Sequence, residues 1–137
     1  NLKPLLGAAC AMICVACSNH KPTVPSFITE NVEFAKAQLG LAIDTIEASG
    51  KCLNPVTLNR DGSDITADMP IGAGIFPGSI WYMYELTGDT SYLPLARKYT
   101  EAIRPAEHLT WHHDIGFIIN CSFGNGLRLA PDTAAYK

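Results

Sequence analysis

The sequence has no excess of positive charge. Its 10 Lys and Arg residues are set against 13 Asp and Glu residues, which gives a formal net charge of −3. Proteins that bind nucleic acids usually carry a basic face, so we expect no nucleic-acid partner. Charged residues make up only 17% of the chain and hydrophobic residues 47%. This balance favours a folded globular protein over a disordered one.

Sustained strand alternation and a phosphate-binding glycine pattern are also missing. The stretches Gly72-Ala73-Gly74 and Gly124-Asn125-Gly126 are isolated and unspecific. A dinucleotide or P-loop motif would place its glycines between a predicted strand and a predicted helix. These absences exclude the common nucleotide-binding classes and leave an all-α fold as the expectation.

The first residues have the parts of a bacterial export signal. Lys3 precedes a short apolar run that ends in small residues and is too short to span a bilayer comfortably as a helix. Val15-Ala16-Cys17 resembles a lipobox, so we expect residues 1–17 to be a lipoprotein-type signal peptide with lipid on Cys17. An ordinary secretory signal is the alternative. Residues 18–28 then form a polar tether. The predicted location is the periplasm or the outer membrane, and the predicted membrane contact is through the lipid alone.

Apolar residues at helical spacing predict four helices after the tether. Their approximate ranges are 32–46, 76–86, 91–103 and 114–129. Thr29 or Asn31 can cap the first helix, and Gly50 can end it. Residues 52–74 contain many turn-forming residues and predict a long loop. The second and fourth helices are apolar nearly all round, which predicts that both are sandwiched inside a larger helical assembly.

The candidate chemistry is concentrated in Trp111-His112-His113-Asp114, just before the fourth predicted helix. An Asp at a helix start often caps free backbone N–H groups, and this alternative stays open. His and Asp are also metal ligands, but adjacent His side chains usually diverge and no further ligand is visible, so we expect no metal and no cofactor. The helix dipole favours the ionised carboxylate. Asp114 therefore suits accepting hydrogen bonds or stabilising positive charge better than donating a proton.

Three segments resemble a known enzyme family. Residues 74–89 resemble the G-F-F-P-G-x-L-W-Y-x-Y-E-x-T-G-D segment of unsaturated glucuronyl hydrolases, glycoside hydrolase family 88. Residues 113–117 are similar to the family's H-D-[IL]-G-F segment, and residues 121–129 are similar to the stretch that follows it. The motifs occur in the same order and at a compatible spacing, and the resemblance covers about residues 30–137.

The resemblance implies an (α/α)6 barrel, of which residues 29–137 would supply the early helical hairpins as the amino-terminal part of a catalytic domain. It implies a substrate that is an oligosaccharide, of glycosaminoglycan type, ending in a 4,5-unsaturated uronic acid. By residue match, Asp114 is the essential partner placed against the sugar hydroxyls, and His113 is its neighbour in substrate binding. The family's proton-donating Asp has no counterpart before Lys137, so we expect residues 1–137 alone to be inactive.

The sequence departs from the family at one motif. Many members carry Asp-Trp-Thr before the glycine-rich segment, and its Trp stacks on the sugar, whereas this chain has Pro70-Ile71-Gly72 there. Trp111 is the candidate replacement for the stacking residue. Three other functions stay open: an unsaturated rhamnogalacturonyl hydrolase, a non-catalytic surface lipoprotein that binds glycans, and a structural or partner-binding helical module.

Overall fold

The structure, a computed structural model, describes residues 23–52, 54–58, 64–67 and 74–132. The predicted signal peptide, residues 1–17, and its lipid-attachment position Cys17 lie outside these residues. Pro70-Ile71-Gly72, at the position of the family's stacking tryptophan, lies outside them as well. The fold described below is therefore that of the stretch after the predicted signal.

Helix α1, Ser26–Ala48, begins earlier than the sequence predicted. Pro25 occupies the N-cap position, and no side chain caps the helix there, so the prediction of a cap at Thr29 or Asn31 is wrong. Proline suits a helix start because its ring presets a helical φ and its missing N–H would have no partner there. Residues 26–28 of the predicted tether are thus helical. The predicted end is confirmed, since Gly50 follows the last turn with φ +68°.

The predicted loop over residues 52–74 contains a small β-hairpin, which the sequence interpretation missed. Strand β1, Asn54–Leu58, pairs antiparallel with strand β2, Asp64–Ala67, and the register joins Asn54 to Ala67 and Leu58 to Asp64. The two strands are too short for an alternation of apolar and polar residues to be recognised. A register shift between Pro55 and Thr57 interrupts that alternation further. The hairpin is the one departure from an all-helical chain among the described residues.

Helices α2, Ile75–Thr87, and α3, Tyr92–Ala102, form the predicted helical hairpin. The predicted turn at Thr87-Gly88-Asp89 is confirmed. Gly88 has φ +69° and its N–H donates to the carbonyl of Tyr84 at 2.8 Å. This left-handed conformation favours glycine, which therefore ends many helices in this way.

The fourth predicted helix is present over its predicted range, but it has an irregular middle. It consists of α4, Ile115–Ile119, a π-helical turn over Asn120–Gly124, and α5, Asn125–Leu129. The Ser122 hydroxyl donates to the carbonyl of Ile118 at 2.7 Å, and the Asn125 amide donates to the carbonyl of Cys121 at 2.9 Å. These side-chain bonds satisfy carbonyls that a regular ladder would have engaged.

Two glycines let α2 lie directly against this irregular helix. A Cβ atom added to Gly74 would be 2.5 Å from the carbonyl oxygen of Ile118, and one added to Gly78 would be 2.9 Å from that of Cys121. Any larger side chain at either position would push the two backbones apart. The contact fixes where the helix that follows Asp114 lies relative to α2.

Both helices of this contact are covered on one side. On α2, Ile80 and Trp81 are fully buried, whereas Leu86 is 61% exposed; on the last helix, Phe117 and Leu127 are 48% and 45% exposed. The sequence predicted that both helices are enclosed on all sides. Within the described residues each is covered on one side only, because the neighbouring helices lie on that side. None of the helices described is both long and apolar enough to cross a membrane.

Candidate active site

The candidate site lies in the connection that leads into α4. A 3-10 helix, Arg104–His108, follows α3, and the chain then extends from Leu109 into the turn before α4. Ile103, Ala106 and Ile118 are buried together and form a small apolar cluster beneath this connection. The cluster anchors the connection at both ends, so the polar residues between them are presented at the surface.

Asp114 occupies the N-cap position of α4, but its carboxylate does not cap the helix. The Asp114 carbonyl accepts the N–H of Ile118 at 2.9 Å, while no side-chain capping bond is present among the described residues. The carboxylate is 46% exposed. The structure therefore gives no support to the alternative that Asp114 serves only as a helix cap. The carboxylate remains available to an outside hydrogen-bond donor.

His113 lies beside that carboxylate. Its Nε2 atom lies 3.3 Å from Asp114 Oδ1, and the imidazole is 88% exposed. His112 contacts the backbone of the same residue, and its Nδ1 accepts a hydrogen bond from the backbone N–H of Asp114 at 3.1 Å. The two imidazoles are stacked, with ring centroids 4.9 Å apart and an interplanar angle of 15°. The expectation that these adjacent histidines diverge is wrong, because the turn places both rings on one side.

This arrangement brings three possible metal-ligating residues together. One ligand atom each from His112, His113 and Asp114 lies within 4.8 Å of the others, so the set could hold a metal ion. The hydrogen bond at His112 opposes this use. In a neutral imidazole one nitrogen carries the proton, and Nδ1 already accepts from the Asp114 N–H. His112 has to give up this bond before either nitrogen can ligate a metal, because freeing Nε2 moves the proton onto Nδ1.

Trp111 lies at the start of the same turn and is 65% exposed. Its ring meets the His112 ring edge-on, with centroids 5.4 Å apart. An exposed indole beside imidazoles and a carboxylate offers an apolar face next to polar groups, which is the combination a sugar ring needs. The structure thus brings together the three residues singled out from the sequence, namely Trp111, His113 and Asp114.

Arg104, in the 3-10 helix that leads to the site, is engaged by its own partners. Arg104 makes two hydrogen bonds of 2.7 Å to the carboxylate of Glu101 and lies over the ring of Phe123 at 4.8 Å. The Glu101 pKa is lowered by these hydrogen bonds. Arg104 therefore braces the 3-10 helix against α3 and the π turn, and the site itself combines a carboxylate with imidazoles.

Sequence reasoning assigned no role to His112 and did not anticipate the π turn. His112 could have been noticed because it lies two residues before Asp114. A polar side chain can hydrogen-bond the backbone two residues ahead and so stabilise a turn. For the π turn, which adds one residue to a helical circuit and is frequent at functional sites, the sequence carried no local signal.

Comparison with known proteins gives two matches. No protein-family model matches the chain. An unsaturated glucuronyl hydrolase of Formosa agariphila is 42% identical over 65 residues, which are 47% of this chain and 16% of that protein. The crystal structure of an unsaturated glucuronyl hydrolase specific for heparin superposes with a TM-score of 0.66 and 31% identity, covering 81% of this chain and 29% of that one. The chain thus spans less than a third of the length of either relative.

Both matches agree with the resemblance stated from the motifs, and the structural match extends well beyond the motifs themselves. The fold prediction is confirmed: the described helices are hairpins of an (α/α)6 barrel of the kind that this structural relative has.

Proposed function

Because the chain is related in sequence and in structure to unsaturated glucuronyl hydrolases, we propose that it supplies part of the active site of such an enzyme. The proposed reaction removes a terminal 4,5-unsaturated uronic acid from oligosaccharides that polysaccharide lyases have generated. The observation that carries the proposal is the Asp114 carboxylate, which is half-exposed, leaves its own helix uncapped and lies 3.3 Å from His113.

The proposed chemistry starts from the enol ether of the substrate. A proton added at C4 of the C4=C5 bond creates an oxocarbenium-like centre at C5, and water adds there. The resulting hemiketal opens and releases the remaining sugar. The bond at the anomeric carbon is not displaced directly, so the carboxylate-spacing rules of ordinary glycosidases do not apply. The enzyme needs a proton donor, a group that activates water and negative charge near the cation.

Within this scheme the residues of the turn have separate roles. Asp114 accepts hydrogen bonds from the sugar hydroxyls and stabilises the developing positive charge. His113 lies beside it as a further hydrogen-bonding partner for the sugar, and Trp111 offers its ring for stacking. The proton donor is assigned to an aspartate outside residues 1–137, so residues 1–137 are expected to be inactive by themselves. We also propose export through the signal over residues 1–17, with the lipid on Cys17.

The test is Asp114→Asn in the polypeptide encoded by the complete reading frame. Loss of the carboxylate charge at a stabilising position lowers kcat by about 100-fold or more. The measurement follows the disappearance of the unsaturated uronate's ultraviolet absorbance. Asp44→Asn, on an exposed face of α1, is the matched control and keeps wild-type turnover. Turnover retained by a folded Asp114→Asn protein would remove Asp114 from the mechanism.

A panel of substrates separates the alternatives in the same assay. Turnover of unsaturated glycosaminoglycan disaccharides supports the proposal. Turnover of pectin-derived unsaturated disaccharides alone would indicate the rhamnogalacturonyl activity instead. Glycan binding without turnover by the wild-type protein would indicate a non-catalytic glycan-binding lipoprotein.

A further inference from the structure

The hydrogen bond between His112 and the Asp114 backbone has no role in the proposed reaction. We propose that His112 is a positioning residue, which sets the direction of the Asp114 carboxylate by accepting the Asp114 N–H. The inference rests on the proposed function of Asp114. It does not place His112 in contact with the substrate.

The backbone at Asp114 is the first support for this role. Asp114 has φ −89° and ψ 9°, which lies in the sparsely populated bridge region between the helical and extended conformations. The third residue of a type I turn and many active-site residues occupy this region. The bond from the Asp114 N–H to His112 Nδ1, 3.1 Å long, ties the backbone N–H of this residue to the side chain two positions before it.

The His112 ring is itself held in place, which is the second support. The ring is half-buried, lies parallel to the His113 ring at 4.9 Å, and meets the Trp111 ring edge-on at 5.4 Å. An acceptor fixed on two sides can hold a backbone N–H in one direction, whereas a freely rotating side chain would not. Trp111 and His113 thus contribute to the position of Asp114 in addition to their proposed contacts with the sugar.

The carboxylate depends on this backbone because little else orients it. Among the described residues its capping bond is absent, and its Oδ1 atom lies 3.3 Å from Nε2 of the exposed His113. The φ and ψ angles at Asp114 set the direction of its Cα–Cβ bond, from which the carboxylate extends. Small misplacements of a catalytic group cost up to about 100-fold in rate, so a turn that loses its bond to His112 should lose turnover without losing the fold.

The test compares His112→Leu with His112→Asn in the polypeptide of the complete reading frame. Leu removes the acceptor, whereas the Asn side-chain oxygen occupies nearly the same place as Nδ1 and keeps it. His108→Leu is the matched control, since His108 is exposed, belongs to the same connection and lies 3.3 Å from the Glu107 carboxylate in a similar pair. We expect kcat to fall about tenfold in His112→Leu, within the range that misplacement allows, and to recover to within about threefold in His112→Asn.

Hydrogen–deuterium exchange at Asp114 gives a readout that does not depend on activity. Loss of a hydrogen bond worth about 1 kcal/mol speeds exchange of the Asp114 amide about fivefold in His112→Leu, and His112→Asn restores the protection.

Full turnover in His112→Leu, or equal impairment of the Leu and Asn variants, would overturn the inference. If Asp114→Asn and His112→Leu both keep full turnover, the proposed role of Asp114 falls as well, whereas a wild-type protein without turnover would overturn the proposed function. If Asp114→Asn alone is inactive, only the inference about His112 is lost.

Discussion

Trp81 and Thr100 form a polar pair inside the apolar core between α2 and α3. The indole Nε1 donates to the Thr100 hydroxyl at 3.0 Å, and both residues are completely buried. The Phe76 and Tyr99 rings meet edge-on beside them, with centroids 4.9 Å apart. A buried tryptophan needs an acceptor for its N–H, and the threonine supplies it from the facing helix.

Thr100→Val tests this pair, because valine keeps the shape of threonine and removes its oxygen. The loss of a buried hydrogen bond should lower the free energy of unfolding by about 1 kcal/mol, measured by urea unfolding. Thr45→Val is the control, since Thr45 is exposed on α1 and its hydroxyl donates to the carbonyl of Leu41 within the same helix. Equal decreases in the free energy of unfolding for the two variants would mean that the buried hydrogen bond contributes no more to stability than the exposed one.

At the scale of elements, the contact between α2 and the last helix decides where the candidate site lies. Gly74 and Gly78 are one helical turn apart, and both face backbone carbonyls of that helix at less than 3 Å from where a Cβ atom would be. Arg128 of α5 adds a second connection, with hydrogen bonds of 2.5 and 2.8 Å to the Glu85 carboxylate on α2. The glycines of the family-like motif thus have a packing role in this structure.

Gly78→Ala and Gly40→Ala should shift stability in opposite directions. An added methyl at Gly78 meets the Cys121 carbonyl oxygen and should destabilise the protein by about 1–3 kcal/mol, as overpacking generally does. At Gly40, inside α1, nothing lies within 4 Å of the new atom, so alanine should stabilise the helix by about 0.5–1 kcal/mol. Urea unfolding measures both, and a neutral Gly78→Ala would contradict the close approach.

At the scale of the whole molecule, α1 is tied to α3 by a group of three polar side chains. Glu47 accepts hydrogen bonds from the Lys98 ammonium at 2.7 Å and from the Tyr99 hydroxyl at 2.6 Å. The Lys98 and Tyr99 hydrogen bonds lower the pKa of the Glu47 carboxyl. The same contact with Glu47 raises the pKa of Lys98. This group joins segments about 50 residues apart in sequence.

The direction of the Glu47 pKa shift predicts how Glu47→Gln depends on pH. The folded pKa lies below the unfolded value of about 4.3, so the stabilisation is present above that pH and is lost as pH falls through the folded pKa. The difference in stability between wild type and Glu47→Gln should be largest near neutral pH and shrink in acid. Urea unfolding at several pH values measures it, with Glu33→Gln on the exposed side of α1 as control. If the stability difference between wild type and Glu47→Gln did not change with pH, the stabilisation would not come from the charged Glu47 carboxylate.

Part of this architecture could be predicted because its signals are local. The α2–α3 hairpin and the turn at Gly88 follow from apolar periodicity and from a glycine after the last helical residue, patterns contained within a few residues. The closeness of Trp111, His113 and Asp114 follows from their being near neighbours in the chain. The short strands β1 and β2 lay below the length at which alternation can be recognised.

Residue type and order were enough to predict the helical class, the resemblance to one enzyme family and the residues of the candidate site. The three-dimensional structure was needed to find that the Asp114 carboxylate leaves its helix uncapped, that the two histidines stack, and that Gly74 and Gly78 meet the opposite backbone. These features depend on backbone angles and on contacts between segments that are distant in the chain. No short sequence pattern specifies such contacts, since they are settled by packing the whole set of helices together.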